Sequence, residues 1–200
     1  MATLCLGFLA SHGGSNMQAI MDACKSGRLS AKPCVVISNN SDSMVLQRAR
    51  NEGIPSYHIS SVTHPGPLED REILRTLKHH GVDTVILAGY MKMLGPAILQ
   101  AYRGRILNIH PALLPRFGGK GMYGKRVHEA VLAAGEKVTG VSIHVVDENY
   151  DTGPIINQCL VPVHEGDTVD SLAERVLKHE HALYVETLQK IAEGSIVLGV

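Results

Sequence analysis

What most constrains this chain is an alternation: short, almost wholly apolar runs recur along it, separated by segments of helical period. A run that is apolar at every position suits a strand buried on both faces, and an intervening helix returns the chain so that the next strand lies parallel to the last. Strands are expected near Leu4–Leu9, Cys34–Ser38, Ser56–Ile59, Thr84–Leu87 and Ile106–Ile109, with helices near Met17–Ser26, Met44–Glu52 and Leu68–His80. Gly27, Gly53 and Gly81 each fall just past a helical stretch, where a residue with positive φ commonly ends a helix. The fold class predicted is α/β: an open, mostly parallel, twisted sheet with helices on both faces.

Beyond residue 110 the pattern changes. A loop rich in Gly and Pro runs from Pro111 to Gly124, and a helix is expected near Arg126–Ala134. Strands near Val141–Val146 and Ile155–Val163 are separated by Tyr150-Asp151-Thr152-Gly153-Pro154, which is turn chemistry, and a long helix near Val169–Glu193 follows. No repeat, low-complexity tract or linker interrupts the chain, so residues 1–200 are expected to form a single domain.

Composition removes several function classes. Two hundred residues at 44% hydrophobic content suffice for one substantial core. Lys plus Arg and Asp plus Glu number 19 each, so no net positive field draws a nucleic acid or a membrane surface, and any anion must be held locally. Cys5, Cys24, Cys34 and Cys159 contain no C-x-x-C pair, which argues against a disulfide framework and a zinc site and fits a reducing cytoplasm. The apolar stretch Met1–Ala10 has no basic leader and is too short to span a bilayer; it reads as a first buried strand.

Three segments carry candidate chemistry. Ser11-His12-Gly13-Gly14-Ser15-Asn16 lies between a strand and a helix, where backbone amides and the positive end of the helix dipole face an anion. It lacks the Gly-Lys-Ser/Thr of a Walker loop and the G-x-G-x-x-G of a dinucleotide site, so a monophosphate suits it; the alternative is a ligand-free turn capped by Ser15 or Asn16. In Ile106-Leu107-Asn108-Ile109-His110-Pro111, alternation puts Asn108 and His110 on one face at the carboxyl end of a strand, where open parallel sheets bind ligands and two donors can converge on one oxygen. The alternative is a pair of satisfied polar groups that hold the next loop. Asp147, Glu148 and Asp151 share the loop after Gly140–Val146, and Asp151 is the carboxylate set just before the Thr152-Gly153-Pro154 turn. If it lies beside His110, it is expected to raise the imidazole's pKa and make it a better proton donor near neutrality.

Taken together, Gly14-Ser15-Asn16, Leu87-Ala88-Gly89-Tyr90-Met91-Lys92-Met93-Leu94, Asn108-Ile109-His110-Pro111 with Leu113-Leu114-Pro115, and Gly140–Gly153 resemble the phosphoribosylglycinamide formyltransferase family of folate-dependent formyltransferases. The resemblance runs along essentially the whole chain. It implies a Rossmann-like formyltransferase fold and formyl transfer from 10-formyltetrahydrofolate, as cosubstrate, to glycinamide ribonucleotide, with no metal. Asn108, His110 and Asp151 would be catalytic. Gly14, Ser15, Asn16 and Glu180 would bind the ribonucleotide. Met91, Lys92, Met93, Leu94, Asn108 and Asp147 would bind the folate. The part up to about residue 110 would hold the phosphate, and residues 111–200 the folate and the catalytic loop. A cytoplasmic monomer or homodimer acting on small molecules, with no nucleic acid or membrane partner, is implied. Helical periodicity taken alone reads Glu180 as a surface charge.

Two departures from the family pattern stand out. Pro65-Gly66-Pro67 occupies the place where many members carry an arginine near the folate, and Phe117–Gly124 is longer than the family's loop, with Lys120 as a candidate cation. Related enzymes using the same donor are the rival readings. A methionyl-tRNA formyltransferase is expected to continue into a carboxyl-terminal RNA-binding domain, and a formyltetrahydrofolate hydrolase to begin with a regulatory one. A non-catalytic phosphate-binding module on the same sheet is the rival from another class.

Overall fold

The computed structural model describes residues 3–199. In chain order the elements are β1 (Leu4–Ala10), α1 (Ser15–Lys25), β2 (Ala31–Ser38), α2 (Met44–Asn51), β3 (Ser56–His58), α3 (Pro67–His79) and β4 (Thr84–Leu87). There follow α4 (Pro96–Ala101), β5 (Ile106–His110), α5 (Lys125–Ala133), β6 (Val138–Val145), β7 (Ile155–Pro162) and α6 (Val169–Ala192). They build a seven-stranded sheet of order β3-β2-β1-β4-β5-β6-β7. Strands β1 to β5 are mutually parallel, whereas β6 runs antiparallel to β5 and β7 antiparallel to β6.

Alternation along the strands sorts the core into two layers. Leu6, Phe8 and Ala10 of β1, Ile86 of β4, and Leu107 and Ile109 of β5 pack against α1, α2, α5 and α6. Their neighbours Leu9, Val85, Leu87 and Ile106 face α3 and α4. Each fully buried Leu, Ile or Phe side chain contributes about 1.5–3 kcal/mol relative to exposure, so two filled layers hold the sheet firmly. The helices form because their apolar residues recur at helical spacing, as with Met17, Ile20 and Met21 in α1. Helix α6 begins with a capping box in which Thr168 and Ser171 satisfy each other's backbone amides.

The expected strands and helices all form, with bounds shifted by up to three residues, and Gly27, Gly53 and Gly81 do take positive φ. Helix α4 was not expected from the sequence. It has six residues and buries only Ile98, too short a span for a helical period to register. Asp70 starts it from a distance, its carboxylate accepting from the amides of Ala97 at 2.8 Å and Ile98 at 3.3 Å. The Leu114–Pro115 bond, which sequence leaves undecided, is cis. Its corner is held by Ser142, whose hydroxyl donates to the Ala112 carbonyl at 2.7 Å and accepts from the Leu114 amide at 3.0 Å.

The order of strands places β1 between β2 and β4, so the chain reverses direction across the sheet at the carboxyl ends of β1 and β4. Such switch points open a crevice there. Ser11 closes its floor, with its amide donating to the Gly89 carbonyl and its hydroxyl accepting from the Met91 amide at 2.8 Å. Among the described residues no helix is long and apolar enough to cross a membrane.

Candidate active site

The loop before α1 is shaped by α2. The His12 carbonyl accepts from the Val45 amide at 3.0 Å, and the Gly13 carbonyl accepts from Arg48 Nε at 2.9 Å. Both carbonyls are thereby turned toward α2, which leaves the amide side of the loop free, as an anion-binding nest requires. Gly14 has φ 68, and a Cβ there would collide with the Val45 side chain, so backbone conformation and packing both demand glycine. Gly14 is itself the N-cap residue of α1, no side chain caps the helix, and no acid occupies its first turn. Neither Ser15 nor Asn16 caps the helix with its side chain. Instead Asn16 Nδ2 donates to Glu180 Oε2 at 2.7 Å, while its own Oδ1 is buried without a partner.

Glu180 is partly buried rather than a free surface charge. Leu172, Val176 and Tyr184 are fully buried at intervals that carry Glu180 onto the same stripe of α6. One turn further on, the Tyr184 hydroxyl lies 2.9 Å from the Leu107 carbonyl and 3.2 Å from that of Leu87, fixing this face of α6 against β4 and β5. Burial raises the Glu180 carboxyl from its ordinary 4.5 to about 7, partly offset by the Asn16 hydrogen bond. A carboxyl raised by folding stabilises the fold below its unfolded pKa, and that contribution is lost as pH climbs from about 4.5 through about 7. Buried imidazoles titrate in the opposite sense, so the informative quantity is a difference. Melting temperatures of wild type minus Glu180→Gln, taken from pH 5 to pH 8, are expected to decline steadily; a flat difference would place the carboxyl in water.

Asn108 and His110 do share a face of β5, and the antiparallel partner β6 brings His144 opposite Asn108 and Ser142 opposite His110. His110 is 3% exposed and its Nε2 lies 2.7 Å from the Phe117 carbonyl, which accepts only from an N–H. That places a proton on Nε2 and makes Nδ1 the titrating atom, 3.6 Å from Asp151 Oδ2. The other carboxylate oxygen of Asp151 lies 3.4 Å from His144 Nε2, and Oδ2 also accepts from the Gly119 amide at 2.9 Å. Asn108 Nδ2 lies 3.1 Å from His144 Nε2, the nitrogen that also faces Asp151. The predicted trio is thus a quartet. His144 escaped the sequence reading, and the available signal was its place two residues from Ser142 on a strand whose pairing with β5 is not local.

The predicted rise in the pKa of His110 is corrected by this geometry. Burial lowers it and outweighs the upward pull of the Asp151 carboxylate and the Phe117 carbonyl, while His144 lowers it further. Asp151 is also buried, which raises its carboxyl, yet the hydrogen bond from His144, the charge of His110 and the Gly119 amide together hold it below the ordinary range. The resting arrangement is therefore a firm carboxylate beside an imidazole that protonates with reluctance.

A cleft adjoins the quartet, lined by Tyr90, Lys92, Met93 and Leu94 on one side and by Val146 and Asp147 on the other, with Asn108, His144 and Asp151 at its base. Met91 is turned away from it: its amide is committed to Ser11 and the residue is 44% exposed. Lys92 forms a 2.5 Å ion pair with Glu69, which brings one cation to the cleft wall on the side of α3, the helix that Pro65-Gly66-Pro67 leads into. Behind the loop Phe117–Gly124 a cavity of about 310 Å³ is bounded by Leu114, Gly118, Gly119 and Thr152, and Asp151 lines it as well as the cleft. Lys120 is exposed on that loop. Among the described residues no cluster of three or more His, Cys, Asp or Glu side chains is arranged to hold a metal ion.

A carboxylate, two imidazoles and an amide are thus gathered at the carboxyl edge of a doubly wound α/β sheet, beside a cleft. Residues 6–188 match the family described as Formyl transferase, and the chain belongs to that family. Its relatives include phosphoribosylglycinamide formyltransferase of Escherichia coli (strain K12), 39% identical over 189 residues, covering 94% of this chain and 87% of the relative. The chloroplastic phosphoribosylglycinamide formyltransferase of Vigna unguiculata is 45% identical over 193 residues, covering 96% of this chain, which spans 62% of that relative's length. The crystal structure of glycinamide ribonucleotide transformylase 1 from Symbiobacterium toebii superposes with a TM-score of 0.91 at 41% identity, covering 98% of this chain and 91% of that one.

Proposed function

We propose that this chain transfers the formyl group of 10-formyltetrahydrofolate to the amine of N1-(5-phosphoribosyl)glycinamide, yielding formylglycinamide ribonucleotide and tetrahydrofolate in purine synthesis. The observation that carries the reading is a cleft lined by Asn108, His144 and Asp151, with His110 buried directly behind Asp151 at 3.6 Å, within a chain of the formyl transferase family. The folate occupies the cleft of Lys92, Met93, Leu94, Asn108 and Asp147, with Met91 contributing through the fold of its backbone. The ribonucleotide phosphate sits on the amides of Gly14, Ser15 and Asn16, and Glu180 meets the glycinamide portion. We assign the working form to the cytoplasm, as a monomer or homodimer.

The amine nitrogen attacks the formyl carbon, and the carbonyl oxygen gains negative charge in a tetrahedral intermediate. The Asn108 side-chain amide and a protonated His110 stabilise that oxygen. Asp151 holds His110 in its charged form as the negative oxygen develops, and through a water it accepts the proton of the attacking nitrogen and returns it to the folate nitrogen as the carbon–nitrogen bond breaks. One bond forms, one breaks, and one proton moves between the two nitrogens.

The test is to mix the protein with 10-formyltetrahydrofolate and follow the absorbance of deformylated folate, with and without glycinamide ribonucleotide. Signal only with the acceptor is expected. Signal with formate released in its absence would indicate a hydrolase, and no signal in either case would leave a binding module.

A further inference from the structure

We propose that Asp147 serves the reaction as a positioning residue, a strap that acts through Thr152 to hold Asp151 against the two imidazoles. The proposal rests on the reading of Asp151 as the acid–base partner of His110.

Asp151 has φ 56, in the left-handed region that side chains other than glycine rarely adopt, so its neighbours must hold it there. The loop is clipped at its neck, where the Val145 amide donates to the Pro154 carbonyl at 2.9 Å. A Cβ on Gly153 would run into the Val145 carbonyl, so the two ends of the loop are pressed together there. Asp147 then closes the loop across its waist. Its Oδ1 accepts from the Asn149 amide at 2.9 Å, and the Thr152 hydroxyl reaches Oδ1 at 2.9 Å and Oδ2 at 3.1 Å. Thr152 is the residue after Asp151, so the strap fixes one side of the strained peptide while the Gly119 amide fixes the carboxylate from the other.

This duty differs from the folate contact to which Asp147 is also suited by its place on the cleft wall. A ligand for the folate acts on donor binding; a strap acts on turnover, because misplacing a reacting group by about 1 Å costs on the order of a hundredfold in rate. The two are separated by Asp147→Ala, Asp147→Asn, Thr152→Val and the double variant Asp147→Ala/Thr152→Val.

Thr152→Val is expected to lower kcat about ten- to a hundredfold with both KM values within about twofold, Asp147→Ala is expected to lower kcat by a similar factor whatever its effect on folate binding, and the double variant is expected to have a kcat no lower than the poorer single one. Asp147→Asn, which keeps the Oδ1 acceptor, is expected to restore turnover. Retained kcat in Asp147→Ala or Thr152→Val, multiplied losses of kcat in the double variant, or an Asn variant with kcat as low as the Ala variant would each overturn the strap. A second readout does not depend on activity: amide exchange at Asn149–Thr152 is expected to quicken in Asp147→Ala and Thr152→Val without a change in global melting. Unchanged exchange overturns the strap even if the assay of formyl transfer fails, whereas an inactive wild type with quickened exchange in these variants condemns only the assigned reaction.

Discussion

Asp151→Asn is expected to lower turnover about 10²–10⁴-fold, the range that a positioned acid–base group contributes, while both substrates bind within about twofold of wild type. The substitution isolates charge from shape. Asparagine tolerates the left-handed backbone that residue 151 adopts, and its Oδ1 can still accept from the Gly119 amide, so the loop is retained. What disappears is the negative charge facing His110 Nδ1 at 3.6 Å. Burial already pushes His110 below its ordinary pKa, and the Asp151 carboxylate is the main influence lifting it back. Without it the imidazole is expected to be harder still to protonate, and the acceptor proposed for the migrating proton is gone. The sign on pH follows: activity that needs protonated His110 fades as pH rises, and in the variant that limb moves to lower pH. Stopped-assay kcat values across pH 5–9 check it, and unchanged turnover at every pH would remove Asp151 from the mechanism.

Asn108→Ala ranks next, with an expected loss of about 10²–10³-fold in kcat, the typical consequence of deleting one donor to a developing oxyanion. The amide nitrogen lies 3.1 Å from His144 Nε2 on a residue that lines the cleft, and a hydrogen bond from it is expected to strengthen as the formyl oxygen becomes negative. A loss made in the transition state lowers kcat and kcat/KM together. Steady-state kinetics with each substrate varied in turn provide the check. A raised folate KM with kcat intact would recast Asn108 as a binding group, and the oxyanion would then need another partner.

Both experiments act on a site that the amino-acid sequence reveals unevenly. The period of two in Ile106–His110 was sufficient to put Asn108 and His110 on one face, because strand alternation is a local geometric necessity. The punctuation by Gly27, Gly53 and Gly81, and the buried runs of β1, β2, β4 and β5, likewise belong to the chain alone, since they follow from backbone sterics and from the burial of apolar side chains. Glu180, read from helical periodicity alone as a surface charge, carried a signal that this reading missed: Leu172, Val176 and Tyr184 recur in steps of four that include it. That its partner is Asn16, 164 positions away, is not in that pattern.

What the tertiary structure decided is whatever depends on two segments meeting. His144 enters the site because β6 turns back antiparallel along β5, a pairing that no local period encodes. Helix α4 exists because the carboxylate of Asp70, on α3, caps it. The protonation balance of His110 depends on how much burial opposes one carboxylate, and only the packed molecule sets that ratio. Local sterics and apolar periodicity could be read from one segment at a time; desolvation and charge pairing are properties of the space between segments, and that space is made by folding.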